Sequence, residues 1–208
     1  MTTKRSLIRH TTAVATAATA ALVLAACGGS GDDTGSAGSD QNTASPAASA
    51  PAQQGDHNAA DVAFAQGMIP HHRQAIEMAD LAATRAEAAD VKKLAGEIKK
   101  AQDPEIQTLS GWLTSWGEQV PATGEDHGGH GMSGMMAAEE MKQLGASSGK
   151  AFDTAFLRLM VKHHEGAVAM AKTERSDGSY QPAKDMAGAI ITSQSAEIAR
   201  MNTLLGRS

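Results

Sequence analysis

Cysteine is nearly absent from this chain, because its 208 residues include only one, Cys27. A lone cysteine excludes disulfides within the chain and cysteine-rich zinc sites. Basic residues are also few: 18 Lys and Arg stand against 23 Asp and Glu, and the formal net charge is −5. This balance argues against nucleic acid as a partner, since nucleic-acid binding needs a basic surface. Aromatic residues make up 3% of the chain, whereas Met occurs 11 times and His 8 times.

Long apolar runs are lacking too. The apolar stretch Ala13–Ala26 follows three basic residues and is too short for a membrane-spanning helix, so it is typical of a secretory signal. It ends Leu-Ala-Ala-Cys, which resembles the bacterial lipobox, where the cysteine is lipidated after cleavage. We therefore predict a lipoprotein signal peptide over residues 1–27 and a lipid anchor on Cys27, facing the periplasm or the cell surface. The alternative is a plain signal peptide with an incidental cysteine.

The next segment, residues 28–56, consists mainly of Gly, Ser, Ala, Asp, Thr, Pro and Gln. It has no apolar periodicity, so burial cannot offset the entropy that ordering it would cost. We predict a disordered linker that tethers the rest of the chain, residues 57–208, to the anchor.

A histidine pair occurs twice in that remainder. The stretch from Met68 to Ala79, which contains His71 and His72, returns 92 positions later with His163 and His164. The same offset, without a gap, pairs Phe64 with Phe156, Ile98 with Ile190, Gln102 with Gln194, Glu105 with Glu197 and Leu113 with Leu205. This match predicts a tandem duplication, with repeats over 57–118 and 149–206 and a linker over 119–148.

Each repeat contains two stretches with apolar residues at helical spacing. We predict helices starting near Asn58 or Asp61, near Asp90, near Lys150 and at Pro182, with a short helix between the repeats. Two helical hairpins in tandem most simply form an all-α four-helix bundle.

Polar residues interrupt the inner face of every predicted long helix at the same level. Folding each hairpin at its turn places His71 beside Gln102 and Glu105, and a pseudo-twofold axis would bring the second repeat's equivalents into the same layer. Adjacent helical residues point about 100° apart, so His72 is expected at the edge of the inner face. Burying such groups costs several kcal/mol unless they are paired or bind a metal. A hydrogen-bonded layer that fixes helix register and a metal site both remain open.

Methionine flanks these histidines in both repeats. Imidazole with thioether favours copper, especially Cu(I), over magnesium or calcium. The linker offers further soft donors in His127, His130, Met132 and Met135. A di-iron centre is disfavoured, because it would need more carboxylates than the repeated Glu105 and Glu197.

The signatures Met-Ile-x-His-His-x-x-Ala-Ile-x-Met-Ala and Gln-x-x-Glu-Ile resemble those of the bacterial domain-of-unknown-function family 305. The resemblance spans roughly residues 57–206. It implies a ferritin-like helical bundle in a secreted or lipid-anchored protein, and some members are periplasmic copper-binding proteins. By position, it points to these metal-binding residues: Met68, His71, His72, Met78, Met160, His163, His164 and Met170.

These observations favour a non-enzymatic, extracytoplasmic lipoprotein that binds, buffers or transfers copper at a membrane surface. Possible additional ligands are Glu105, Glu197 and the linker residues, and a metal-handling protein would be its partner. The alternatives are a metalloenzyme with a His/Glu site for Zn, Mn or Cu(II), which would need an open coordination position, and a structural bundle without metal. No motif in the sequence indicates a nucleophile, a phosphate loop or an organic cofactor.

Overall fold

The computed structural model describes residues 56–122 and 133–207. The predicted signal peptide with Cys27, the linker up to Gly55, and three candidate ligands of the inter-repeat linker lie outside the described residues; those three are His127, His130 and Met132. Within the described ranges the fold is all-helical, as predicted. The helices are α1 (Ala59–Arg85), α2 (Ala89–Trp116), α3 (Ala138–Ala146), α4 (Gly149–Asp177) and α5 (Gln181–Leu204).

The helix ends follow local sequence signals. Asn58 caps α1: its side chain accepts the backbone N–H groups of Ala60 and Asp61, and the Asp61 carboxylate accepts the N–H of Asn58. Such reciprocal capping satisfies donors that have no partner inside the helix. Gly117 ends α2 with a φ of 76°, a conformation that glycine adopts without steric cost. Pro182 lies in the first turn of α5, where its missing N–H is not needed.

The long helices form two hairpins, α1 with α2 and α4 with α5, which meet through α1 and α4. These two helices run antiparallel, since the Asn58 side chain at the start of α1 donates to the Asp177 carbonyl at the end of α4. The short helix α3 contacts both of them. The predicted bundle of two hairpins is therefore confirmed, and α1 and α4 are its central pair.

Two apolar clusters form the core, and every long helix contributes to both. The first contains Met78, Leu94, Ile98, Met136, Phe152, Phe156, Met160 and Met201. The second contains Phe64, Met68, Ile69, Leu109, Leu113, Ala167, Ala187 and Ile190. Burial of each large side chain contributes roughly 1.5–3 kcal/mol. Along each long helix, the side chains buried between the two clusters are polar.

Two buried aspartates, 92 positions apart, join the hairpins. Asp61 of α1 accepts the backbone N–H groups of Ser179 and Tyr180, in the α4–α5 turn. Asp153 of α4 accepts those of Glu87 and Ala88, in the α1–α2 turn. Each repeat thus caps the turn of the other, which fixes the relative position of the two hairpins.

Candidate metal-binding centre

The polar residues between the apolar clusters form one layer across the bundle, which we call the polar layer. Its members are His71, His72, Gln102, Glu105, His163, His164, Gln194 and Glu197. All four histidines have no exposed surface. The expectation that His72 would lie at the edge of the inner face is therefore wrong. The reason is that α1 packs against two helices, α2 and α4, so side chains about 100° apart can both be buried.

His71 and His163 are each other's neighbours across the α1–α4 contact. Their ring centroids are 3.8 Å apart, with the rings inclined by 44°. The two residues are equivalent in the repeats, so the pair lies where the pseudo-twofold axis passes between the central helices. Ala75 and Ala167, one turn further along each helix, are small and fully buried.

The second histidine of each pair faces its own hairpin. His72 Nε2 lies 2.6 Å from Glu105 Oε2, and His164 Nε2 lies 2.6 Å from Glu197 Oε2. The predicted neighbours of these carboxylates were His71 and His163, and that assignment is wrong by one residue. Glu105 and Glu197 keep about a fifth of their side-chain surface exposed (23% and 21%), so they close the layer at its outer edge.

The hydrogen-bond partners define which imidazole nitrogens can act as ligands. Carboxylate and carbonyl oxygens accept hydrogen bonds, so Nε2 of His72 and of His164 carries the proton. Nε2 of His71 likewise donates, at 3.3 Å, to the Ser133 carbonyl. A neutral imidazole protonated at Nε2 has its lone pair on Nδ1. Nδ1 of all three rings is buried and has no hydrogen-bond partner among the described residues, and the same holds for both nitrogens of His163.

The central pair is electrically neutral. Burial, together with the neighbouring His72, lowers the pKa of His71 to about 3. Burial and the neighbouring histidines also hold the pKa of His163 well below its ordinary value. Both rings therefore keep free lone pairs at neutral pH, as a metal ligand requires.

This donor set fits a soft ion with few ligands. A metal-binding imidazole commonly donates its other N–H to a carboxylate or a carbonyl, as three of these rings do. However, among the described residues no three His, Cys, Asp or Glu side chains are grouped closely enough to hold a metal. Two imidazoles supplemented by thioether suit Cu(I) better than the N/O sites of Zn(II) or Mn(II).

The predicted methionines lie on both sides of the histidine pair. Met68 and Met160 each precede a histidine of the central pair by three residues, hence lie on the same helix face, and both are fully buried. Met78 is buried in the first apolar cluster, whereas Met170 is half-buried against the second. Met135 of the linker is half-buried.

One end of the linker covers the histidine pair, which the sequence did not predict. We call Ser133–Met136 the strap. Its Ser133 carbonyl contacts His71, and Met136 enters the first apolar cluster. Gln74 holds it with two hydrogen bonds, donating to the Met136 carbonyl (2.9 Å) and accepting the Met136 N–H (2.7 Å).

A buried carboxyl group at the end of α4 was not predicted from the sequence either. Glu174 is 1% exposed, and neither of its oxygens has a hydrogen-bond partner that meets the usual geometry among the described residues. Burial, with the adjacent Asp61 carboxylate, raises the pKa of Glu174 to about 8. Burial alone would raise the pKa of Asp61, but the hydrogen bonds it accepts lower that pKa overall. The residue equivalent to Glu174 in the first repeat is Ala82, so the repeat pattern does not indicate a buried carboxyl group at this position.

Comparison with known proteins gives a family and several solved structures. The family described as "Domain of unknown function (DUF305)" matches residues 61–205. A DUF305 protein from Streptomyces coelicolor is 35% identical, with a TM-score of 0.65, covering 71% of this chain and 92% of that one. A DUF305 fragment from Deinococcus radiodurans is 29% identical, with a TM-score of 0.65, covering 73% and 98%. No curated protein sequence matches the chain.

A third structural relative has been solved with metals. CopM in its Cu(II)-bound form is 36% identical, with a TM-score of 0.62, and the match covers 69% of this chain and 94% of CopM. Structures of CopM also exist in Cu(I)-bound, Ag-bound and apo forms. Within the described ranges, none of the helices of the present chain is both long and apolar enough to cross a membrane. The helical fold, the repeated histidine pair and the family match together show that this chain belongs to the DUF305 family.

Proposed function

We propose that this protein binds copper outside the cytoplasm, holding Cu(I) at the His71–His163 pair and passing it to a partner protein. The observation that carries the proposal is the set of buried imidazole nitrogens at the α1–α4 contact that find no hydrogen-bond partner within residues 56–122 and 133–207. Leaving such groups unpaired in a core costs free energy, and a bound ion would remove that cost. The similarity to CopM, which has been solved with Cu(II), Cu(I) and silver, supports copper as the ion.

Each part of the polar layer has a role in this proposal. His71 and His163 are the primary ligands, and Met68 and Met160 supply thioether sulfur on the same helix faces. His72 and His164 are held by Glu105 and Glu197, so they orient the layer and keep one free nitrogen each. The protein binds and releases the ion without chemical change, hence it is not an enzyme.

Lipidation of Cys27 would keep the protein at the membrane surface. The lipobox-like sequence before this cysteine supports the anchor, and residues 28–56 would connect it to the bundle. The test is fractionation of cells that make the full chain, followed by mass spectrometry of its N-terminus. We expect an acylated Cys27 in the membrane fraction and release of a Cys27→Ser variant into the soluble fraction. An unmodified Cys27 in a soluble protein would contradict the anchor.

Copper binding is tested by titrating the full chain with Cu(I) against a chromophoric chelator, and in parallel with Zn(II). The chain should carry Cys27→Ser, because a free thiolate also binds Cu(I). We expect one tight Cu(I) site per chain that is lost in His71→Leu/His163→Leu, and much weaker Zn(II) binding. Leucine fills the space of an imidazole in a buried layer, so the variant should remain folded.

Two controls separate this site from other histidines. His57→Leu removes a half-buried histidine that stacks on Trp116 at the end of the bundle, away from the layer, and should leave affinity unchanged. His127→Ala/His130→Ala removes the linker imidazoles. If Cu(I) affinity were lost with the linker variant but kept in His71→Leu/His163→Leu, the polar layer would be architectural and the proposal wrong.

A further inference from the structure

We propose that the strap, Ser133–Met136, is a removable cover of the histidine pair, and that Gln74 sets how fast an ion enters and leaves. This inference rests on the proposed function. The strap is the only part of the inter-repeat linker, within the described residues, that contacts the pair through a hydrogen bond. Most of it is not embedded in the core: Ser133 is exposed, and Gly134 and Met135 are half-buried.

The strap lies directly on the backbone of α4 beside His163. A Cβ atom on Gly166 would come within 1.9 Å of the Ser133 carbonyl oxygen, and one on Gly134 within 2.7 Å of the Lys162 carbonyl oxygen. Gly134 also has a φ of 85°, which other residues rarely adopt. Glycine is therefore required on both sides of this contact, and any added carbon would lift the strap.

The two repeats differ at the position where the strap approaches α4. Gln74 and Gly166 are equivalent in the duplication. In α1 that position carries the amide that holds the strap, and in α4 it carries no side chain, so the strap can approach. The cover consequently breaks the symmetry of an otherwise twofold site.

The cover also orients one ligand. By accepting the Nε2 proton of His71, the Ser133 carbonyl leaves Nδ1 as the ligand atom of that ring. Neither nitrogen of His163 has such a contact in the part of the chain that the structure describes. Release of the strap would let His71 change tautomer and open a path from solvent to the pair.

Opening can be measured without metal. We would follow deuterium exchange at the imidazole Cε1–H of His71 and His163 by mass spectrometry, using the full chain with Cys27→Ser. Gln74→Leu removes both hydrogen bonds of the holding amide, and Gln74→Glu keeps only an acceptor for the Met136 N–H. Each hydrogen bond shifts an opening equilibrium by a factor of about three to ten. We therefore expect exchange about tenfold or more faster in Gln74→Leu and an intermediate rate in Gln74→Glu.

Gln66→Leu is the matched control, because Gln66 also lies on α1 and donates to a backbone carbonyl, that of Gln119. It should leave both exchange rates unchanged. Gly166→Ala is a second way to lift the strap, should Gln74→Leu unfold. The same variants are then loaded with Cu(I), and the rate of transfer to a chelator is recorded. That rate should rise about as much as imidazole exchange does.

The outcomes separate the two proposals. If the parent chain binds no Cu(I), the proposed function fails. Faster imidazole exchange in Gln74→Leu would still establish the cover. If the parent chain binds Cu(I) but neither rate changes in Gln74→Leu and Gly166→Ala, the cover is wrong while copper binding stands. Faster imidazole exchange with unchanged Cu(I) transfer would show that the strap does not control passage of the ion, which also overturns this inference.

Discussion

Asp61 and Asp153 cap each other's hairpins: each carboxylate accepts two backbone N–H groups from the turn of the opposite repeat. Hydrogen bonds to an ionised acceptor are about twice as strong as neutral ones. Because these bonds connect segments about 65 and 118 residues apart in sequence, they stabilise the association of the hairpins rather than either hairpin alone.

Asp153→Ala should lower the free energy of unfolding by about 2–4 kcal/mol, because it leaves the N–H groups of Glu87 and Ala88 without their acceptor. Urea unfolding followed by circular dichroism measures this. Asp80→Asn, which removes an exposed ion pair with Lys99, is the control and should cost under about 1 kcal/mol. Equal losses in the two variants would show that Asp153 is not a structural cap.

Glu174 should make the protein less stable as pH rises. Its pKa is raised from 4.5 to about 8 in the folded chain. Between these values the folded state holds a proton that the unfolded state has lost, so stability falls with increasing pH through this window. Glu174→Gln carries no titrating proton, so its stability relative to the parent chain should increase between about pH 5 and pH 8.

The measurement is urea unfolding of both proteins at pH 5, 6.5 and 8. Asp61, whose pKa is lowered, adds pH dependence of the opposite sign only at more acidic pH, below this range. Glu118→Gln, at an exposed position, is the matched control. If the parent and Glu174→Gln curves stay parallel, Glu174 is ionised in the folded protein.

The two outer histidine–glutamate pairs should contribute equally. Glu105→Leu and Glu197→Leu each leave a buried Nε2–H without an acceptor, which costs about 1–3 kcal/mol. Glu105→Gln and Glu197→Gln keep an acceptor oxygen and should restore most of the stability. A large loss at one site and none at the other, measured by urea unfolding, would contradict the pseudo-twofold equivalence of the layer.

Cu(I) should stabilise the folded chain by mass action. With free Cu(I) at about 100 times its Kd, the gain is about 2.7 kcal/mol. Calorimetric melting of the Cys27→Ser chain should show this gain, and His71→Leu/His163→Leu should melt at the same temperature with and without Cu(I). A gain that persists in the double variant would place the ion elsewhere.

Much of the architecture followed from the duplication. Apolar periodicity and cap residues located the starts of the long helices to within a few residues. Folding each hairpin at its turn, together with the 92-residue offset, placed Gln102, Glu105 and their equivalents in one layer with the histidines. The choice between His71 and His72 failed because helical periodicity defines one inward direction, whereas α1 has two neighbours in the bundle. Which of two adjacent histidines contacts the glutamate of its hairpin depends on packing between the repeats, which periodicity does not encode.

The contacts of the strap and the burial of Glu174 could not be predicted from the sequence, for a different reason. Gln74 and Met136 are 62 positions apart and belong to no repeated pattern, so nothing local indicates their hydrogen bonds. Glu174 looks like an ordinary surface acid at the end of a helix. The burial of Asp61 and Asp153 could have been predicted, because the two residues are equivalent in the duplication and both lie in stretches where apolar residues dominate.

Neither apolar cluster belongs to one repeat, and this bears on how the chain arose. A single hairpin would present half of each cluster, one member of the histidine pair and one aspartate with no turn to cap. A half-length ancestor could complete these contacts only as a homodimer, whose stability depends on protomer concentration. A single chain that holds both hairpins is free of that dependence. The two halves of such a chain can also differ, so that one carries an amide at Gln74 while the other has no side chain at the equivalent Gly166.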